Sequence, residues 1–108
     1  MTDRTYRTDR TYAIISDMAM CRRFIVSGRV QGVGFRYFAI RAARRVGVAG
    51  TVRNLPDGTV EAIAEGSETA LKEFRFALEK GPSYGQVSRV DETDLPSTGR
   101  YSGFDVVF

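Results

Sequence analysis

The chain is 108 residues long, with 16 basic and 13 acidic side chains and a net charge of +3, which is enough for one domain with a single two-layer core. It has no histidine and one cysteine, Cys21, so histidine acid–base catalysis and an intrachain disulfide are excluded, and a zinc site would need carboxylates almost alone. Its apolar runs are far shorter than a membrane span and its N-terminus lacks a secretory apolar stretch, which predicts a cytoplasmic protein with no membrane association.

Residues 1–20 stand apart. Thr2-Asp3-Arg4-Thr5-Tyr6 returns at once as Thr8-Asp9-Arg10-Thr11-Tyr12, a polar repeat without core periodicity. It predicts a flexible extension or a misassigned start, with Met18 and Met20 as alternative starts and the folded domain at 21–108. The first strand is expected over Cys21–Gly28, where Phe24-Ile25-Val26 is a β-rich apolar run.

The run Gly28-Arg29-Val30-Gln31-Gly32-Val33-Gly34-Phe35-Arg36 then joins that strand to a helix. Phe35, Phe38, Ala39, Ala42 and Val46 keep helical spacing, and Gly47 stands at the C-cap position. A glycine-rich turn lets backbone N–H groups of residues 31–36 converge. The helix start adds donors without intrahelical partners, and Arg36 in the first turn adds a charged fork. These are the parts of a phosphate site. The same glycines would equally serve a plain strand-to-helix connection with Arg36 in solvent. Familiar phosphate motifs do not fit: no Lys-Ser or Lys-Thr pair follows Gly34, and Tyr37 replaces the third glycine of a dinucleotide fingerprint. Gln31 to Phe38 half matches an RNA-binding strand signature, but Gln31, Val33 and Arg36 break it, and Phe35 and Phe38 read as a buried helical stripe.

A second strand is expected over Val48–Asn54 and a third over Thr59–Glu65, joined through Leu55-Pro56-Asp57-Gly58, whose residues suit a tight turn. On the third strand Val60, Ala62 and Ala64 share one face, and Glu61, Ile63 and Glu65 the other. Ser67 is the expected N-cap of a second helix with the stripe Ala70, Leu71, Phe74, Ala77 and Leu78, ended by Gly81-Pro82. Strands over Val87–Asp94 and Phe104–Phe108 close the chain. The order β-α-β-β-α-β plus a C-terminal strand predicts an α+β, ferredoxin-like two-layer sandwich, an antiparallel sheet with two helices on one face. Charge is uneven along it. Residues 18–58 carry eight arginines against Asp57, whereas residues 59–108 carry five basic and nine acidic side chains, which favours an anionic ligand at the first half.

The segment from Gly28 to Arg36, together with Gly47-Val48-Ala49-Gly50-Thr51-Val52-Arg53-Asn54, Asp57-Gly58-Thr59-Val60-Glu61 and Glu65-Gly66, resembles the acylphosphatase family in order and spacing, from about Arg22 to Phe108. The resemblance implies the fold expected above and a cofactor-free, metal-independent hydrolase of acyl phosphates such as acetyl phosphate, carbamoyl phosphate or 1,3-bisphosphoglycerate. Inorganic phosphate would be product and inhibitor, and the chain a monomer. By the same resemblance the catalytic pair is Arg36, which binds the phosphoryl group, and Asn54, which holds the attacking water. The phosphate-binding set is Gln31, Gly32, Val33, Gly34, Phe35 and Arg36. That assignment makes chemical sense, because an acyl phosphate has a good carboxylate leaving group, and positioning water while neutralising the phosphoryl oxygens needs no strong protein base. Without the resemblance, Asn54 reads as a turn residue before Leu55-Pro56.

Thr51 departs from the large aromatic that the family usually carries before its Val-Arg-Asn segment, which predicts altered packing beside the site. Two other readings stand beside the hydrolase. One is an acylphosphatase-like module without turnover, as in the N-terminal domain of large hydrogenase-maturation proteins, against which the chain's length argues. The other is a ferredoxin-like nucleic-acid binder, which requires aromatic side chains on the exposed sheet face.

Overall fold

A computed structural model describes residues 19–108. The expected extension over 1–20 lies outside the described residues except for Ala19 and Met20.

The elements are β1 (Met20–Arg29), α1 (Phe35–Val46), β2 (Ala49–Asn54), β3 (Val60–Gly66), α2 (Glu68–Lys80), β4 (Gln86–Leu95) and β5 (Phe104–Val106). They form one five-stranded sheet in the order β4-β1-β3-β2-β5, and both helices pack on one face of it. This is the ferredoxin-like sandwich that the element order predicts. The expected antiparallel pairing holds for β1 with β3, β1 with β4 and β2 with β3, but β5 runs parallel to β2, so the sheet is mixed. The reason lies in the chain path: after β4 the loop of residues 96–103 carries the chain across the sheet to its far edge, where it enters beside Gly50 and runs in the same direction as β2.

Strand alternation decides the core. Phe24 and Val26 of β1 oppose Ala62 and Val60 of β3, and all four are fully buried with Val52, Phe74 and Phe104. Phe74 sits edge-on to both Phe24 and Phe104, with centroids 5.7 and 5.5 Å apart, a geometry favoured by the ring quadrupole. Alanines do the complementary work: Ala39, Ala42 and Ala43 on α1 and Ala62 and Ala64 on β3 are buried, and their small side chains let the helical layer approach the sheet. Both predicted caps form. Gly47 takes a left-handed φ of 88° and its N–H donates to the Ala43 carbonyl, and Ser67 Oγ accepts from the Ala70 N–H at 3.1 Å.

The helix-free face holds what the sequence pattern leaves outside the core. Glu61 and Glu65 are nevertheless buried, at 5% and 8% exposure. The Glu61 carboxylate accepts from Arg23 Nε at 2.6 Å and Arg53 Nε at 2.8 Å. The Glu65 carboxylate accepts from Ser97 Oγ and from the Thr98 and Gly99 N–H groups, which fastens the 96–103 loop over this face. Burial pushes each carboxyl up, but these donors outweigh it and hold both below the ordinary carboxylate range. Thr51 belongs to this face too, opposite Ile63 and Asp105. It therefore does not pack beside Asn54 as expected, because residues an odd number of positions apart on one strand face opposite sides.

Candidate active site

Two chain segments that the sequence separates meet at one edge of the core. The first is the turn between β1 and α1. Gly32 and Gly34 have φ values of 76° and 79°, left-handed conformations that side chains with a Cβ resist. A Cβ at either would meet no atom within 4 Å, so these glycines serve conformation and leave the turn's outer surface open. Gly28 is a different case: its Cβ would lie 2.2 Å from the Gln86 carbonyl oxygen, so that glycine lets β4 approach.

Glycines in such left-handed conformations allow neighbouring backbone N–H groups to converge on one side of a turn, the geometry of a concave anion receptor. Gly34 is also the N-cap of α1, with no side chain capping it and no acidic residue in the first turn. Among the described residues, the N–H groups of 31–36 make no hydrogen bond to a protein acceptor. Arg36, half-buried in that first turn, adds positive charge where the helix dipole is already positive. Such an arrangement is unfavourable by itself and becomes favourable when an anion sits on it.

The second segment is the end of β2. Asn54 is its last residue, paired with Val60 across the hairpin. Its side-chain oxygen Oδ1 is buried without a hydrogen-bond donor among the described residues. Together with Gly32, Gly34, Phe35 and Arg36, Asn54 lines a cavity of about 350 Å³. The motif residues are thus brought to one place, with two exceptions in detail. The Gln31 and Val33 side chains do not line that cavity; only their backbone groups belong to the turn.

Gln31 does something the sequence did not signal. Its Nε2 donates to the Leu55 and Thr59 carbonyls, each at 2.8 Å, which ties the glycine-rich turn to the hairpin directly after Asn54. Those carbonyls are also joined to the hairpin's own N–H groups, Thr59 to Leu55 at 2.9 Å and Leu55 to Gly58 at 3.1 Å. Asp57 completes the turn as expected, accepting from the Thr59 N–H at 3.0 Å and from its hydroxyl at 2.6 Å.

Sequence reasoning also missed the cavity's apolar side, built from Tyr37, Ile40, Val106 and Phe108. No local pattern marks Val106 or Phe108, since they reach the cavity only through the parallel pairing of β5 with β2. Elsewhere, a larger depression of about 540 Å³ lies between the helices, around Phe38, Phe76, Arg45, Lys72 and Lys80. It contains none of the motif residues, so chemistry rather than volume picks the candidate site. Cys21 is buried, and burial, then the nearby Glu65 carboxylate, push its thiol up, which suits a packed residue and not a nucleophile. Among the described residues no group of three or more His, Cys, Asp or Glu side chains is gathered as metal ligands would be, and no helix is long and apolar enough to cross a membrane.

The family model described as acylphosphatase matches residues 22–106. An acylphosphatase from Synechococcus sp. (strain WH7803) is 53% identical over 77 residues, which cover 71% of this chain and 77% of that one. The crystal structure of acylphosphatase from Bacillus subtilis is similar with a TM-score of 0.79 at 42% identity, covering 82% of this chain and 99% of that one. The structure of HypF from T. kodakarensis is similar over 82% of this chain but only 12% of its own, with a TM-score of 0.74 at 31% identity.

Proposed function

The chain belongs to the acylphosphatase family and hydrolyses acyl phosphates, and from that activity we propose that its catalysis runs through Arg36, the 31–36 backbone turn and Asn54. The observation that carries the proposal is the pairing, in one cavity, of an arginine at a helix start without a side-chain cap with a buried amide oxygen that lacks a donor among the described residues.

The two ends of that cavity divide the work. The N–H groups of residues 31–36 and the Arg36 guanidinium bind the phosphoryl oxygens and neutralise charge that spreads over them in the transition state. A buried acceptor without a donor is costly, and a water donating to Asn54 Oδ1 relieves that cost at the point from which attack is required. The water oxygen bonds to phosphorus as the bond to the acyl oxygen breaks. The carboxylate leaves with the bond's electron pair, and the water proton passes to a phosphoryl oxygen of the substrate. No histidine is needed for this sequence of events. Nor is a divalent ion required, since the turn and Arg36 supply positive charge where a metal would otherwise act. Inorganic phosphate, which fits the same cradle, is the product and a competitive inhibitor. Cytoplasmic residence and a monomeric state belong to the same proposal.

A nucleic-acid role gains no support from the open sheet face, whose described strand positions include Arg23, Ile25, Thr51, Arg53 and Ile63 and no aromatic side chain.

Asn54→Ala tests the division of labour. We expect kcat to fall by about 10² or more, the scale of losing one preorganised polar group, while phosphate inhibition and folding persist. A folded Asn54→Ala protein with unchanged kcat would remove Asn54 from the reaction.

A further inference from the structure

The depression between the two helices takes no part in the mechanism. Its lining runs from Phe38 near the start of α1 to Val46 at its end, and from Lys72 in the second turn of α2 to Gly81 just past its end. It therefore follows the seam between the helices over most of their length, and its volume of about 540 Å³ is that of a small-molecule pocket.

Two aromatic rings and three cations meet there. On α2, Lys72, Phe76 and Lys80 are each four residues apart, so they stand in one row with the ring between two cations. Phe76 lies outside the apolar stripe that enters the core and is 63% exposed. Lys80 Nζ lies over its ring, 5.7 Å from the centroid, within the range of a cation–π contact. On α1, Phe38 and Arg45 are two turns apart on one face. Phe38 is half-buried and braced by Phe35, with centroids 5.8 Å apart. A solvent-exposed ring beside a concave apolar floor marks a binding face, where a ring standing alone would not.

Charge decides what that face accepts. Arg45, Lys72 and Lys80 stand in the lining against Glu73, and Lys72 is matched by Glu68 Oε2 at 3.7 Å. Three cations against those two carboxylates leave an excess of one positive charge. Among the described residues neither Arg45 nor Lys80 makes an ion pair. A second copy of the same face would bring like charges together across a two-fold axis. An excess of one is too small to hold a polyanion such as a nucleic acid or an anionic membrane surface.

We propose that this depression binds a monoanionic amphipath, an aromatic or alkyl carboxylate, with its apolar body against Phe38 and Phe76 and its carboxylate on Arg45, whose planar guanidinium matches that group. The site shares no lining residue with the cavity of Arg36 and Asn54, and it stands whether or not those two residues catalyse.

The test is titration of the full chain with naphthoate and with its uncharged counterpart naphthalenemethanol, followed by amide chemical-shift mapping at fixed ionic strength in excess inorganic phosphate, which competes for the Arg36 cavity. We expect naphthoate to shift amides of residues 38–46 and 72–81 and to bind about three- to fivefold more tightly than the alcohol, the scale of an exposed ion pair. Phe76→Ala should weaken naphthoate by about tenfold through lost apolar contact. Arg45→Gln should bring it down to about the affinity of the alcohol, and Glu73→Gln, which removes the opposing charge, should tighten it about twofold. All three replaced side chains are exposed, and unchanged thermal melts would show that the variants fold. Absence of naphthoate binding, shifts confined to the Arg36 cavity, equal affinity for acid and alcohol, or an unchanged affinity in Phe76→Ala would each overturn the proposal. Self-association in sedimentation, or flotation with phosphatidylglycerol vesicles, lost in Phe76→Ala, would assign the face to a second copy or to a membrane and overturn it as well.

Discussion

Arg36 shows how much chemistry one residue can hold when its surroundings are wrong for it in the absence of ligand. A cation in the first turn opposes the helix dipole, and no acidic side chain stands in that turn to balance it. In the proposed mechanism the arrangement becomes favourable on binding a phosphoryl group, to which a guanidinium can present two parallel donors. Lysine carries the same charge without the fork. Arg36→Lys is therefore expected to lose most of its turnover and to weaken inhibition by phosphate together, in contrast to Asn54→Ala, where the two separate. Steady-state rates and phosphate inhibition constants on the two variants make the comparison, and a lysine variant with near-normal values of both would contradict the cradle.

At the scale of elements, the site depends on the fit between the β1–α1 turn and the β2–β3 hairpin, and Gln31 is the bridge between them. Its two hydrogen bonds span 24 and 28 residues of sequence. Gln31→Met keeps the bulk of the side chain and removes both donors. Because each carbonyl retains a backbone partner, the loss should be about 1–2 kcal/mol of stability, which for a domain of this size lowers Tm by roughly 4–8 °C per kcal/mol. Activity should suffer more than stability, with kcat falling about tenfold or more as Asn54, the proposed water holder, drifts from the glycine-rich turn. Thermal melts and kcat measured on the same preparation check this. A variant that melts lower but keeps full kcat would make the bridge structural only. Glycine works at this scale as well: a Cβ at Gly50 would lie 1.8 Å from the Ile63 carbonyl oxygen, so the close pairing of β2 with β3 admits no side chain there.

For the whole molecule, acid stability should be governed by the two buried carboxylates of the helix-free face. Both have folded-state pKa values below the ordinary carboxylate value of 4.5. Each is therefore ionised in the folded protein at a pH where the unfolded chain would already take up a proton. Their stabilisation is present above 4.5 and is lost as pH falls below it toward the lowered values. Glu65→Gln should make the protein less stable at neutral pH, because the Thr98 and Gly99 N–H groups lose a charged acceptor, and should flatten the fall in stability below pH 4.5. Denaturant melts from pH 7 down to pH 3 measure both effects, and a Glu65→Gln profile parallel to the wild type would exclude Glu65 as a source of the acid response. Also at this scale, activity should survive excess EDTA. The chain holds no histidine and one cysteine, and the positive charge at the site comes from backbone and Arg36. Loss of turnover in chelator, restored by a divalent ion, would contradict the mechanism.

How much of this was legible in advance follows from the range of the forces involved. Helical and strand periodicity, the glycine and serine caps and the Pro56-Asp57-Gly58 turn are local, and each formed where its residues predicted it. The resemblance of the Gly28–Arg36 and Gly47–Asn54 segments to a known family pointed to Arg36 and Asn54, which the fold brings to one cavity, since motif order along the chain carries that information without coordinates. What the chain could not disclose was every relation that needs two distant segments placed side by side. The parallel pairing of β5 with β2, the Gln31 bridge, and the burial of Glu61 and Glu65 under arginines and a loop are of this kind. The apolar wall of Val106 and Phe108 belongs with them, because a strand's partner is chosen by packing and hydrogen bonding across the whole sheet, and no window of sequence contains both sides of that choice.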